Sequence, residues 1–158
     1  MAISTDTAII SSPIGHIIIR GNAAEIQGLR IDPRRSQPES EAATDLIAEA
    51  VRQLGAYFDG NLRDFDLSLS APRSLRGAAL RAGIIAVPYG DTATYGEVAK
   101  RTDSGPRAVG QACRTNPFPI IVPCHRIISA SGPEHYSGGD GVKTKAWLIA
   151  HEARHSQK

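Results

Sequence analysis

Cysteine is scarce in this 158-residue chain, long apolar runs are absent, and no single sign of charge prevails. Its two cysteines, Cys113 and Cys124, form no CxxC pair. That spacing excludes a structural zinc site and a disulfide framework. A single bridge between them stays open, although a reducing compartment favours two free thiols. No apolar stretch approaches the roughly 18 residues needed to cross a bilayer. The opening MAISTDTAII lacks the basic start and long apolar core of a secretory signal, which predicts a cytoplasmic protein, nucleoid-associated if bacterial. An apolar fraction of 41% with 22% charged residues describes a soluble globular chain, long enough for one domain or two small lobes.

The formal net charge is only +2, but it is unevenly spread. Residues 1–72 carry 6 Lys/Arg against 10 Asp/Glu, a net −4, whereas residues 73–158 carry 12 against 6, a net +6. Such asymmetry fits a polyanion partner for the second half, or else is scatter in a small sample.

What is present reads as an α+β chain. SSPIGHIIIRG and AEIQGLRI are β-branched runs separated by the turn dipeptide Gly21-Asn22, and predict an antiparallel sheet. DPRRSQPES (32–40) is a loop. Ile47, Ala50, Val51, Leu54 and Phe58 then recur at helical spacing, predicting a helix that ends near Gly60. FDLSL (65–69) alternates as an edge strand or extended connection. Residues 1–72 thus form a scaffold lobe, and no reactive constellation appears in them.

Residues 73–158 read as a mainly helical lobe. Leu75, Ala78, Ala79, Ala82 and Ile85 have helical spacing and predict a helix over 74–86, broken by glycines and ended by Pro88. Thr94 and Glu97 have capping-box spacing and predict a two-turn helix over 95–101. Pro106 suits the first position of the next helix, PRAVGQACR. Two short helices joined by a tight turn have the helix-turn-helix layout, with Arg107, Gln111 and Arg114 on the second. The same layout also occurs in proteins that bind no nucleic acid. GVKTKAWLIAHEARH predicts a last helix, preceded by the glycine-rich SGPEHYSGGDG, which suits either a ligand loop or a connector.

Chemistry concentrates in PIIVPCHRIISAS (119–131), which reads as a buried strand. Cys124 is either a filler of core space or a nucleophile at the floor of a pocket. A thiol with a pKa of ~8.5 is a few per cent ionised at neutral pH. A neighbouring imidazole can take its proton, and a carboxylate behind the ring can fix the tautomer. His125 and Glu152 are available for those roles. On an extended strand Cys124 and His125 would point to opposite faces, so contact needs a bend, for which Pro123 is placed, or a bridging water.

NPFPIIVPCHRIISASG resembles the active-site segment of the O6-alkylguanine-DNA alkyltransferases (methylated-DNA–protein-cysteine methyltransferases). VPYGDTATYGEVA, RAVGQACRTNP, YSGG and KAWLIAHE resemble further segments of that family in the same order, and SSPIGHIII and QLGAYFDG do so more faintly. The similarity is strongest over residues 84–153. It implies irreversible, single-turnover transfer of the alkyl group from O6-alkylguanine, and O4-alkylthymine, in double-stranded DNA to Cys124. No cofactor and no metal are implied, and the chain would act as a monomer. The alternative is a family-like lesion binder with weak or no transfer.

Residue by residue, the resemblance makes Cys124 the acceptor. His125 is its base through a water, Glu152 orients the ring, and Asn116 braces the turn after the recognition helix. Arg107 would fill the stack left by the extruded base, and Tyr95 would press on the neighbouring phosphate and donate to guanine N3. Gln111, Arg114 and Arg126 complete the implied DNA contacts, while Tyr136, Ser137 and Lys145 line the guanine pocket. The chain departs from the family at APRSLRGAALRAG, where aromatics and a glutamine are usual, and at Gln111, Cys113 and Thr115. These departures predict weaker DNA affinity, with Leu75, Leu80 and Ile84 as packing residues and Cys113 structural.

Overall fold

A computed structural model of the protein describes residues 5–131, 136 and 138–156. The chain forms two compact units, Met1–Ser70 and Ala71–Lys158. In the first, β1 (Asp6–Ser12), β2 (Gly15–Gly21) and β3 (Ile26–Asp32) make an antiparallel sheet in the order β1-β2-β3. The run SSPIGHIIIRG is therefore not one strand. Its Ser12 hydroxyl donates to Gly15 O (2.7 Å) and accepts from Ile14 N (3.2 Å), folding the chain back into a hairpin. Gly15 closes that turn at φ +121°, where a side chain would meet Asp32 O at 2.4 Å.

Helix α1 (Asp45–Phe58) covers the sheet. Its N-cap Thr44 is held by Asp6 Oδ2, which accepts from Thr44 N (2.8 Å) and Ala43 N (2.9 Å). Ile47, Ala50, Leu54 and Tyr57 are fully buried, as are Ile17, Ile19 and Ile26 of the sheet. Each such isoleucine or leucine contributes about 1.5–3 kcal/mol. The FDLSL segment is an extended connection: Gln53 clamps Asp66 by both its backbone groups, and Ile26 N donates to Ser68 O (2.7 Å).

The second unit begins with α2 (Leu75–Ile85), capped by Ser74 Oγ, which accepts from Gly77 N (3.0 Å). Its buried face carries Leu80 and Ile84, whereas Leu75 is 92% and Ile85 50% exposed. Of the three expected packing residues Leu80 and Ile84 are thus buried and Leu75 is not, because alanines and glycines leave the apolar stripe poorly defined. Next come β4 (Ala93–Thr94), α3 (Tyr95–Arg101) and α4 (Pro106–Arg114). The capping box is formed in full: Glu97 N donates to Thr94 Oγ1 (3.1 Å), and Thr94 N donates to Glu97 Oε1 (3.2 Å).

The segment expected as a buried strand is instead a single 3-10 turn, Cys124–Arg126, followed by the two-residue β5 (Ile127–Ile128). Arg126 N donates to Pro123 O (3.0 Å), so a local turn overrides the β-branched composition. β5 runs parallel to β4, with Ala93 opposite Ile127 and Thr94 opposite Ile128. That pairing ties the N-cap of α3 to the strand leaving the turn. Helix α5 (Val142–His155) closes the unit. No helix among the described residues is long and apolar enough to cross a membrane.

Candidate active site

The 3-10 turn presents Cys124, His125 and Arg126 in three different directions, all three side chains buried. Cys124 Sγ accepts from Asn116 Nδ2 at 3.2 Å. The same amide nitrogen donates to Val122 O (2.9 Å), and Asn116 Oδ1 accepts from Phe118 N (2.9 Å). One side chain therefore sets the course of the loop from α4 to the thiol. Burial pushes the Cys124 thiol up, opposed by the Asn116 hydrogen bond and the charge of Lys145. At neutral pH this cysteine is a thiol that needs a base.

His125 is fully buried, with Nε2 2.6 Å from Glu152 Oε2. Burial holds its pKa below the usual value, and the Glu152 hydrogen bond and charge only partly oppose that. The ring is thus neutral at pH 7. Because a carboxylate only accepts, Nε2 carries the proton and Nδ1 keeps its lone pair. Nδ1 is buried with no hydrogen-bond partner among the described residues. A basic nitrogen left unpaired in this way can receive a proton.

Glu152, 1% exposed, is held from three sides. Arg126 grips it with Nε on Oε1 (2.8 Å) and Nη2 on Oε2 (3.1 Å), and Gly90 N lies 3.4 Å from Oε1. Burial acts to raise the carboxyl, but the hydrogen bonds and charges of His125 and Arg126 outweigh it and bring the pKa to about 2. Arg126 is itself 4% exposed, donates Nη1 to Val87 O (2.8 Å), and lies over the Tyr89 ring at 5.5 Å. This corrects its assignment as a DNA contact: the guanidinium faces inward. His-Glu-x-x-His, a zinc-helix spacing, occurs at residues 151–155. Its glutamate is taken up by Arg126 and His125, and the described residues hold no cluster of three metal-ligating side chains.

Lys145 is buried, donates Nζ to Ile127 O (2.5 Å), and sits 5.9 Å from the Tyr95 ring centroid. Burial lowers its pKa, and the two thiols oppose this. Tyr95, the first residue of α3, is half-buried, and burial raises its phenol. The Tyr136 hydroxyl is buried without a partner among the described residues and is pushed well above the usual tyrosine range by burial. Ser137, expected beside it, lies outside the described residues.

A cavity of about 780 Å³ gathers Tyr95, Arg107, Cys113, Arg114, Cys124 and Tyr136 on its walls. Arg107 and Arg114 stand exposed on α4, so one wall is cationic. Gln111 is exposed and accepts from Arg114 Nη2 (2.8 Å), outside the cavity lining. His125 and Glu152 lie behind Cys124 in the packed interior. Cys113, expected as structural, lines the cavity, with burial pushing its thiol to about 12. Its position one turn from Gly110 on the Arg107–Arg114 face was the available signal. Gly90 was also missed. Its φ of +85° and the 2.6 Å approach to Ser156 Cβ mark a turn reserved for glycine beneath Glu152.

Comparison with known proteins agrees over both units. Residues 7–71 match the ribonuclease-like domain, and residues 78–154 the DNA-binding domain, of 6-O-methylguanine DNA methyltransferase. A methylated-DNA–protein-cysteine methyltransferase of Mycolicibacterium paratuberculosis is 39% identical over 152 residues, covering 93% of this chain and 92% of that protein. One from Methanosarcina acetivorans is 38% identical, covering 86% and 92%. The crystal structure of Mycobacterium tuberculosis O6-methylguanine methyltransferase superposes with a TM-score of 0.82 at 34% identity, covering 96% of this chain and 94% of that one. The M. tuberculosis protein in complex with DNA gives 0.80 at 34% identity, covering 94% and 93%. Matched in sequence and fold over nearly its whole length, the chain belongs to the O6-alkylguanine-DNA alkyltransferase (methylated-DNA–protein-cysteine methyltransferase) family.

Proposed function

We propose that this protein repairs alkylated DNA directly, moving the alkyl group from guanine O6, or thymine O4, to Cys124 once per molecule. The observation that carries the reading is Cys124 opening onto a cavity with a cationic wall, backed by a neutral His125 fixed on Glu152. An alkyl carbon on O6 within a duplex cannot be approached in line. The base must leave the stack, at a cost of a few kcal/mol. Arg107, exposed in the first turn of α4, fills the gap, and minor-groove entry suits a protein that inspects damage instead of reading sequence.

In the cavity the base lies against Tyr136, with the buried Lys145 near by on Ile127 O. His125 Nδ1 takes the thiol proton through a bridging water, and Glu152 stabilises the imidazolium that results. Sγ attacks the alkyl carbon as the C–O6 bond breaks. The electron pair of that bond stays on the guanine, and Tyr95 donates a hydrogen bond at N3 as charge develops there. The base then takes up a proton through water while His125 returns to its neutral form. The product is a thioether with no route back to a thiolate, so each chain acts once. Every named residue belongs to Ala71–Lys158, and a monomer suffices.

A duplex carrying a radiolabelled O6-methyl group tests this. Label transfer should plateau at one methyl per chain, and Cys124→Ser should transfer none. Lesion binding without transfer, or repeated turnover, contradicts the proposal.

A further inference from the structure

Arg126 is the one charged group of the turn that neither faces the cavity nor is used in the transfer scheme. All three of its guanidinium nitrogens nevertheless donate hydrogen bonds. Its guanidinium spans Glu152 in a two-pronged contact, reaches Val87 O, and rests on the Tyr89 ring. Glu152 Oε2 is shared between Arg126 Nη2 (3.1 Å) and His125 Nε2 (2.6 Å). One carboxylate oxygen is thus fixed from both sides.

We infer that Arg126 is a positioning residue for alkyl transfer: it neutralises Glu152 and so keeps the His125 ring uncharged in the Nε2–H tautomer, with Nδ1 free to accept. The inference rests on the proposed role of His125 as the base toward Cys124.

In a space this buried, charge balance decides which groups hold protons. The charged groups around His125 are Glu152 and Lys145 from α5 and Arg126 from its own turn, with Tyr89 from the α2–β4 loop against the guanidinium. With Arg126 present, the pair Arg126–Glu152 is neutral, and a proton on His125 would leave a net positive charge beside Lys145. Without Arg126, the buried carboxylate would lose its guanidinium counter-charge while still facing the imidazole. Forming an imidazolium–carboxylate pair would then relieve it. His125 would hold its proton more tightly, and Nδ1 would be occupied before any thiol reached it. Arginine suits the role because its planar fork meets both carboxylate oxygens, which a lysine cannot do.

The test is 15N NMR of the histidine rings through a pH titration, paired with the pH profile of single-turnover transfer. In the wild type, His125 should stay neutral with Nδ1 unprotonated through the neutral range. In Arg126→Met its imidazolium form should appear at a pH higher by about one unit or more, a tenfold tighter proton. The acid limb of the transfer profile should move up with it. Arg126→Lys should shift both in the same direction by less. Arg126→Met combined with Glu152→Gln removes both charges and should restore the neutral ring and the wild-type acid limb.

An unshifted His125 titration in Arg126→Met overturns the inference. If that variant does not fold, an unshifted titration in Arg126→Lys does so. A merely structural role would slow transfer without moving either midpoint. Should the wild type transfer no alkyl group, the proposed function fails, whereas the ring titration still decides the role of Arg126.

Discussion

Two thiols line one cavity, and their surroundings separate them. Cys113 is pushed to about 12 by burial, while Cys124 is raised by burial but has Asn116 on its sulfur and His125 beside it in the chain. Cys113→Ala should therefore leave the transfer stoichiometry at one alkyl group per chain, measured by label uptake. Asn116→Ala removes two donor contacts and strands Phe118 N. It should cost about 1–3 kcal/mol in urea unfolding and slow transfer. Cys124, His125, Glu152 and Asn116 were legible in the sequence because resemblance marks each of them by motif. The inward turn of Arg126 was not. An arginine in the basic half reads as a phosphate contact, and its partner Glu152 lies 26 residues away.

Among the elements, α3 and α4 have the bounds predicted for them because their signals are local: a capping box at Thr94 and a proline at the first position of α4. Thr94→Ala should lower stability by about 1 kcal/mol. Since β4 joins the α3 N-terminus to β5, the loss should also loosen Tyr95. A combined drop in thermal midpoint and transfer rate would reveal it. Gly90→Ala should destabilise by more, since the new Cβ meets Ser156 at 2.6 Å and the residue must hold φ +85°. Composition misled where particular hydrogen bonds decide. The β-branched run around Cys124 reads as a strand, but Asn116 and the Arg126–Pro123 backbone bond impose a turn. In α2, small residues on every side hid which face would be buried.

For the molecule as a whole, charge has two consequences. Residues 73–158 carry a net +6, so DNA affinity should fall steeply with salt, and Arg107→Ala should flatten that dependence. The buried triad links stability to pH. His125 binds its proton less readily folded than unfolded, so acidification below about 6.5, its usual value, favours the unfolded chain. Glu152 drops from 4.5 to about 2 on folding, so the stability it contributes is present above about 4.5 and is lost as pH falls toward 2. Urea midpoints should decline in both windows, and His125→Asn should abolish the upper decline.

The central claim is that Cys124 is the terminal acceptor of the alkyl group. Peptide mass mapping after incubation with a duplex containing O6-methylguanine tests it most directly. The peptide bearing Cys124 should gain one CH2, that bearing Cys113 none, and guanine should be restored in the DNA. An unmodified Cys124 peptide from protein that has bound the lesion would contradict it.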